Sequence, residues 1–233
     1  MYKRILLKLS GEQLQGDKQK GFDPERAKWI AGQLRPLFGQ SQIVIMVGGG
    51  NLVRGGEVSD DSIRRVTADN AGMLSTLINA TLLADVFNSC DVPARALSNI
   101  EANQVVDQYT FRRALSHLAK DRIVIVGGGI GRPYLTTDTA ALSLALELDC
   151  DVVIKTTKVD GVYDKDPMKY DDAKKLDTLT HEDAMLNENI AVMDKAALSL
   201  ALEQKKSLII CDLLTDGNIA RAARGDDVGT LVQ

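Results

Sequence analysis

Short apolar runs rich in Ile and Val recur along the chain, separated by longer polar and mixed stretches. Continuous apolar runs of this length are typical of strands that are buried on both faces. They occupy residues 4–9, 42–47, 122–126, 151–154 and 207–210. We therefore predict that these runs form the strands of a buried sheet.

The stretches between the runs have the spacing of amphipathic helices. The first begins with Asp23, a favourable N-cap, and Pro24, which suits the first helical position, and is predicted to end near residue 38. Further helices are predicted over residues 66–87, 110–120, 138–148 and 191–204. The alternation of strand and helix predicts an α/β fold, a three-layer α/β/α sandwich with a mainly parallel central sheet.

The composition narrows the class of protein. Of 233 residues, 45% are hydrophobic and 26% charged, as in globular proteins, and the net charge of -4 lacks the basic excess that nucleic-acid binding needs. No apolar run reaches the ~20 residues that span a bilayer, so we expect no membrane association. Three widely spaced cysteines and two histidines argue against structural zinc and favour a cytoplasmic location.

Three predicted strands end in glycine loops, at residues 8–11, 48–51 and 127–131. Ligands of open α/β sheets bind at the carboxyl ends of strands, where backbone N–H groups are exposed and glycine lets phosphate approach. Any one loop could be an ordinary tight turn. Three at one sheet edge predict a phosphate site, although none completes a P-loop or a G-x-G-x-x-G motif.

Charged residues beside these loops are candidates for phosphate chemistry. Lys8 interrupts an otherwise apolar strand, and Arg54 follows the second glycine loop, although either could be a solvated surface residue. Asp138 opens a predicted helix, where an N-cap role is the simplest interpretation. A carboxylate there could also orient a lysine or help to hold Mg²⁺.

Four motifs together resemble the amino acid kinase superfamily and, within it, the family of bacterial uridylate kinases. They are Lys8-Leu9-Ser10-Gly11-Glu12, GGGNLVRG at 48–55, TTDTAA at 136–141 and KTTKVDGVY at 155–163. The resemblance runs through the chain to the closing residues 229–232. It implies one amino acid kinase domain over 1–233 that converts ATP and UMP to ADP and UDP in pyrimidine nucleotide biosynthesis. Its acceptor part would span roughly 1–150 and its ATP part roughly 151–233, with donor phosphate contacts from 8–11 and 50–54.

The resemblance also implies roles for individual residues. ATP would be bound by Lys8, Leu9, Ser10, Gly11, Gly50, Arg54, Thr157, Tyr163 and Asp166. UMP would be bound by Gly49, Asp69, Ile130, Gly131, Arg132, Pro133, Tyr134, Leu135, Thr136 and Thr137. Catalysis would rest on Lys8, Arg54, Asp138, Lys155 and Asp194. Mg²⁺ would be carried by ATP, with no dedicated protein site for the metal.

Regulation and assembly are implied in the same way. The family has a GTP activator, a UTP inhibitor and a homohexameric assembly. The loop associated with GTP corresponds to Gly16, Asp17, Lys18, Gln19, Lys20 and Gly21, and it is charged between its glycines. The acceptor loop departs from the family pattern G-T-G-N-P, since Ile130 and Arg132 replace a hydroxyl and an amide. This departure concerns the uracil and ribose contacts more than the phosphate chemistry.

Two other functions remain open from the sequence. One is an amino acid or carbamate kinase of the same superfamily, which would make an acyl phosphate. The other is an oxyanion-storage protein that binds ATP without turnover. Asp69 favours an acceptor with a ribose, because a carboxylate can accept both sugar hydroxyls. The presence of Lys8, Arg54 and Asp138 favours catalysis over storage.

Overall fold

A mainly parallel sheet lies between two layers of helices, so the predicted three-layer α/β/α fold is confirmed. The computed structural model describes residues 1–53, 62–187, 190 and 192–233. Within those residues the main sheet has nine strands, which lie side by side in the order Asp107–Gln108, Ala94–Ser98, Ile123–Gly127, Gln42–Val47, Arg4–Leu9, Val152–Thr157, Leu208–Asp212, Thr230–Val232 and Thr178–Leu179. Its paired neighbours are parallel except for Leu208–Asp212 and Thr230–Val232.

The strand bounds agree with the predicted apolar runs to within a few residues. The main sheet contains β1 (Arg4–Leu9), β2 (Gln42–Val47), β3 (Ala94–Ser98), β4 (Asp107–Gln108), β5 (Ile123–Gly127), β6 (Val152–Thr157), β9 (Thr178–Leu179), β10 (Leu208–Asp212) and β11 (Thr230–Val232). A separate antiparallel pair is formed by β7 (Val162–Tyr163) and β8 (Lys175–Leu176).

The helices are α1 (Pro24–Leu34), α2 (Arg65–Ser89), α3 (Phe111–Leu118), α4 (Thr137–Glu147), α5 (His181–Leu186), α6 (Lys195–Glu203) and α7 (Asn218–Arg224). Two 3₁₀ turns cover Gly11–Leu14 and Arg35–Leu37. Asp23 caps α1 as predicted, since its carboxylate accepts the N–H of Glu25 at 3.1 Å. No described helix has the length and apolarity needed to cross a bilayer.

Several elements differ from the sequence-based prediction. Helix α1 ends at Leu34 and continues as the 3₁₀ turn, because Pro36 has no N–H to extend the ladder. Helix α6 begins at Lys195 rather than near 191, because the Asp194 carboxylate caps it. The apolar-run prediction also missed β3, whose sequence ARALS lacks a β-branched run.

Successive side chains of the central strands alternate between two apolar layers. Ile5, Leu7 and Leu9 of β1 pack in the layer that contains α1, α2 and α7, whereas Leu6 packs in the layer that contains α3, α4 and α6. This period of two is expected of a strand covered on both faces. Lys8 therefore belongs to the same face as Leu6, which is the face that α4 covers.

Candidate active site

Two lysines lie side by side at the carboxyl end of the two central strands. β1 and β6 are parallel neighbours, and their register pairs Lys8 with Lys155. Partners in register point to the same face of a sheet, with strands about 4.8 Å apart. Both ammonium groups are consequently directed at α4, and their mutual repulsion must be compensated there.

Asp138, in the first turn of α4, supplies that compensation. One carboxylate oxygen lies 2.7 Å from the Nζ of Lys8 and the other 2.8 Å from the Nζ of Lys155. Lys155 also donates to the carbonyl of Val192 at 2.5 Å. Lys8 and Asp138 are both buried, each with 8% of its surface exposed. The cluster of two cations and one anion keeps one net positive charge at this point.

Burial and charge act together on these groups. Burial alone would raise the pKa of Asp138, but the ammonium groups of Lys8 and Lys155 hold it below its usual value. Burial lowers the pKa of Lys155 below that of an ordinary lysine, although the charge of Asp138 opposes this shift. Asp138 is therefore an anion at neutral pH that orients two lysines.

Asp138 is not the N-cap of α4, contrary to the simplest interpretation of the sequence. The cap is Thr136, whose hydroxyl accepts the N–H of Asp138 at 3.0 Å. The Asp138 carboxylate is therefore not used to cap the helix and points towards the two lysines. Asp194 caps α6 through the N–H of Ala197, and its carboxylate also accepts the hydroxyls of Thr136 and Thr139. Asp194 consequently fixes the start of α4 beside Asp138.

The three glycine loops meet at one cleft of about 400 Å³. Of the predicted site residues, the lining contains Lys8, Ser10, Gly11, Gly49, Gly50, Asp69, Arg132, Leu135, Thr136 and Thr137. The lining also includes Arg65 and Thr76, which were not predicted from the sequence to belong to the site. The prediction that the three glycine loops lie at one edge of the sheet is therefore correct.

Close approach of the first two loops requires glycine at Gly11. A Cβ added there would lie 2.6 Å from both the Asn51 Oδ1 and the Gly50 backbone nitrogen. Such contacts are shorter than any side chain tolerates, and the crowding atoms belong to the second loop. The absence of a side chain at Gly11 therefore lets the first two loops share the floor of the cleft.

The Thr76 hydroxyl supports two successive N–H groups of the third loop. Thr76 of α2 accepts the N–H groups of Gly128 at 2.7 Å and Gly129 at 3.2 Å. Gly128 has a φ of +81°, a conformation that glycine adopts without strain. Ile130, which cannot hydrogen-bond through its side chain, packs partly buried against the core. Because both N–H groups donate to the Thr76 hydroxyl, they hold the loop in position.

Asp69 anchors the acceptor loop that follows. One of its carboxylate oxygens accepts from Arg65 at 2.8 Å and the other accepts the N–H of Tyr134 at 2.8 Å. Tyr134 has a φ of +67°, which is strained for a residue with a side chain. The Arg65 guanidinium lies 5.4 Å from the Tyr134 ring centre, over its face. Asp69 thus holds a strained segment at the rim of the cleft.

The loop of residues 16–21 is connected to the second glycine loop. The Asn51 side chain donates to the carbonyl of Gly21 at 2.8 Å, and the Asn51 carbonyl accepts the Gly21 N–H at 2.9 Å. Asn51 also pairs with Asn79 of α2, which in turn donates to the carbonyl of Gly48 at 2.8 Å. Both asparagines are buried. Neither residue was predicted from the sequence to belong to the site.

The remaining predicted ATP residues lie outside this cleft lining. The Leu9 side chain is fully buried in the core, so only its backbone could face a ligand. The Thr157 hydroxyl donates to the Val159 carbonyl, Tyr163 donates to Asp160 at 2.6 Å, and Asp166 accepts the N–H of Met168. Arg54 lies outside the described residues. The ATP roles of these residues stay predictions.

No metal-binding group of side chains is formed by the described residues. Within 1–53, 62–187, 190 and 192–233, no three His, Cys, Asp or Glu side chains are placed together to hold an ion. Both oxygens of Asp138 face ammonium groups, which makes it a poor metal ligand.

Comparison with known proteins identifies the family. The amino acid kinase family model matches residues 3–212. A uridylate kinase of Wolinella succinogenes is 43% identical over 96% of this chain and 93% of that protein. The UMP kinase structure of Bacillus anthracis has a TM-score of 0.94, 36% identity, and coverage of 100% of this chain and 96% of its own. That of Ureaplasma parvum has a TM-score of 0.92, 28% identity, and coverage of 100% and 99%.

A parallel sheet that presents three glycine loops and two lysines at one edge is the arrangement expected of an enzyme that binds phosphate groups. This chain belongs to the amino acid kinase family.

Replacing Asp138 with Asn tests the buried ion cluster. The two lysines would lose their shared anion, so we expect the free energy of unfolding at pH 7 to fall by about 3–5 kcal/mol. Because its folded pKa lies below the unfolded value of about 3.9, the stabilisation from Asp138 is complete above that unfolded value and is lost as the pH falls through the folded one. The difference between wild type and variant should therefore stay constant from about pH 7 to 5 and narrow below about pH 4.

Urea unfolding at each pH measures this difference. The matched control is Thr110→Ala, which removes the N-cap of α3 and should cost about 1 kcal/mol. A loss in Asp138→Asn no larger than that of the control would show that the ion cluster contributes nothing beyond a cap.

Proposed function

We propose that this chain is a UMP kinase, which transfers the terminal phosphoryl group of ATP to UMP to give ADP and UDP. The observation that carries the proposal is the Lys8–Asp138–Lys155 cluster, of which Lys8 lines the cleft where three glycine loops meet. The similarity to named uridylate and UMP kinases supports the choice of substrates. A place in pyrimidine nucleotide biosynthesis follows from the reaction.

The mechanism follows from charge and position. Phosphoryl transfer needs two mutually repelling anions in line and positive charge where the transferred group passes. Lys8 borders the cleft, and we assign it to the transferred phosphoryl, with Lys155 as the second cation and Arg54 as a further one. Asp138 sets the direction of both lysines, and Asp194 positions the start of α4. No general base is required, because the UMP phosphate oxygen is already ionised.

We assign UMP, the acceptor, to the cleft where the three glycine loops meet. We assign ATP, the donor, to the region at the carboxyl end of β6. The acceptor part would cover roughly residues 1–150 and the ATP part roughly 151–233, with donor phosphate contacts from 8–11 and 50–54. Support comes from the cleft lining between residues 8 and 137, which contains predicted UMP residues together with the predicted donor contacts Lys8, Ser10, Gly11 and Gly50. Mg²⁺ would be held by the ATP phosphates and would neutralise part of their charge. The lysine-bound state of Asp138 supports this arrangement over a protein-held ion.

We extend the proposal to assembly as a homohexamer. Support comes from Leu74, Ile78 and Leu82, which form an apolar stripe at helical spacing on α2 and are 53%, 50% and 41% exposed. A second copy of this chain would cover the stripe. Regulation by GTP is proposed through residues 16–21, whose connection to the second glycine loop through Asn51 supports it. Inhibition by UTP is proposed on the family resemblance alone.

A cytoplasmic location completes the proposal. The structure has free thiols at Cys90, Cys150 and Cys211. Burial raises the pKa of Cys150 and of Cys211 to about 12, so both stay protonated and unreactive. Unpaired buried cysteines are common where thiols are kept reduced, which supports this location.

A coupled assay of ADP formation tests the function. ATP is supplied with UMP, CMP, carbamate or glutamate, and we expect turnover with UMP to exceed that with the other acceptors. Preferred turnover of carbamate or glutamate would indicate an acyl phosphate kinase. ATP binding without turnover of any acceptor would indicate a storage protein.

Substitution of Lys8 by Met tests the catalytic charge while keeping the length of the side chain. We expect kcat to fall by at least about 100-fold with little change in the KM for UMP, because the lost charge acts on the transition state. The control is Lys120→Met, at the opposite edge of the sheet, which should keep wild-type kcat. Wild-type turnover in Lys8→Met would contradict the assigned role.

Substitution of Asp69 by Ala tests the acceptor loop. The Tyr134 N–H would lose its charged acceptor and the strained segment would relax. We expect the KM for UMP to rise by about 10-fold or more, as for a lost hydrogen bond to a charged group, and the KM for ATP to stay within about twofold. Equal rises for both nucleotides would remove Asp69 from the acceptor side.

Substitution of Ile78 by Lys tests the assembly. A charge in the middle of the apolar stripe should prevent burial against a second copy, so sedimentation should detect smaller particles than the wild-type hexamer. Leu214→Lys, at another exposed leucine, is the control and should leave the assembly unchanged. A monomeric wild type would contradict the proposed assembly directly.

A further inference from the structure

Gln13 makes three hydrogen bonds through a buried side chain. It lies in the 3₁₀ turn Gly11–Leu14 that follows β1 and is 7% exposed. Its Oε1 accepts the N–H of Ser10 at 3.0 Å and the hydroxyl of Thr156 at 2.7 Å. Its Nε2 donates to the carbonyl of Thr157 at 3.1 Å. One amide thus joins the first glycine loop to the end of β6.

This connection begins where the backbone ladder stops. The register of β1 with β6 ends at the pair Lys8–Lys155. Beyond that pair, the segment at Ser10 and the residues Thr156 and Thr157 are joined through Gln13. The Thr156 hydroxyl also lies 3.1 Å from the carbonyl of Lys8, so it is tied to both sides. The connection therefore acts directly after both lysines.

A buried glutamine at this position needs hydrogen-bond partners for its amide group. A buried amide is costly unless its donors and acceptors are paired, and an apolar side chain would fill the same space at no polar cost. The pairing of Gln13 is specific, because it engages one backbone donor, one backbone acceptor and one hydroxyl. Gln13 therefore fixes the position of the first glycine loop relative to the end of β6, and it also fills the space between them.

We propose that Gln13 is a positioning residue for phosphoryl transfer, acting with Thr156 to fix the first glycine loop against β6 and thereby the placement of Lys8 relative to Lys155. The inference rests on the proposed function. It requires no contact between Gln13 and substrate. The consequence is large, because a misplacement of about 1 Å can cost about 100-fold in rate.

The experiment compares four single variants and one double variant of the full chain. Gln13→Leu removes the three hydrogen bonds of the amide and leaves the Thr156 hydroxyl beside the Lys8 carbonyl. Thr156→Val removes the hydroxyl with little change in shape, and Thr156→Ser keeps it. The control is Gln42→Leu at the opposite end of the sheet. Gln42 likewise bridges two segments, since it accepts from Arg4 at 2.8 Å and donates to the Leu118 carbonyl at 3.2 Å. Each variant is measured for kcat, for the KM of UMP and for unfolding in urea.

We expect Gln13→Leu and Thr156→Val to lower kcat by about 10- to 100-fold while the KM for UMP changes by less than about threefold. Thr156→Ser should keep kcat within about threefold of wild type. Gln42→Leu should lose stability and keep kcat. The double variant Gln13→Leu/Thr156→Val should be little slower than the slower single variant, because both changes break one connection.

Wild-type kcat in folded Gln13→Leu, or an equal loss of kcat in Gln42→Leu, would overturn the proposal. Amide hydrogen exchange provides a readout that needs no acceptor. The peptide containing residues 8–14 should exchange faster in Gln13→Leu than in wild type or in Gln42→Leu. If wild type turns over no UMP, the proposed function fails, and unaltered exchange in Gln13→Leu would separately show that Gln13 does not hold the loop.

Discussion

The repulsion between Lys8 and Lys155, and its compensation by Asp138, is the constraint on which the site depends. Parallel pairing of β1 and β6 brings two like charges together on one face, and burial strengthens their interaction. The Asp138 carboxylate compensates this repulsion, since its two oxygens lie 2.7 Å and 2.8 Å from the two ammonium groups. The start of α4, and the groups that hold it, are consequently part of the charge balance as well as of the packing.

The loops around this cluster are braced by side chains from the layers behind them. Thr76 holds two N–H groups of the third loop, Asn79 holds a carbonyl of the second, and Gln13 holds an N–H of the first. Each side chain satisfies a backbone group of a loop and thereby fixes the conformation of that loop. Transfer between two bound anions gains more from alignment than from additional weak contacts.

The sequence predicted those parts that depend on local pattern. The apolar runs identified β1, β2, β5, β6 and β10, because burial on both faces leaves an uninterrupted run. Lys8 was recognisable because it breaks such a run. Asp23 and Pro24 specified the start of α1 through local capping chemistry. The meeting of the glycine loops could be expected because parallel strands end at a common edge.

The parts that depend on distant partners could not be predicted in the same way. Whether Asp138 or Thr136 caps α4 is decided by two lysines, one of them 130 positions earlier in the chain. The pairing of Asn51 with Asn79 and of Gln13 with Thr156 joins segments that share no local pattern. Strand β3 was missed because its position in the sheet, rather than its β propensity, makes it a strand.

The pairing register of β1 also limits which insertions and deletions the gene can tolerate. Inserting or deleting one codon between Arg4 and Lys8 would rotate every later side chain of the strand to the opposite face. Lys8 would then enter the apolar layer of α1 and α2, and a leucine would face Asp138. Loops between elements tolerate changes in length, whereas this strand must keep its length to the residue. We therefore expect descendants of this sequence to differ in the identities of the residues of β1 but not in the number of residues in the strand.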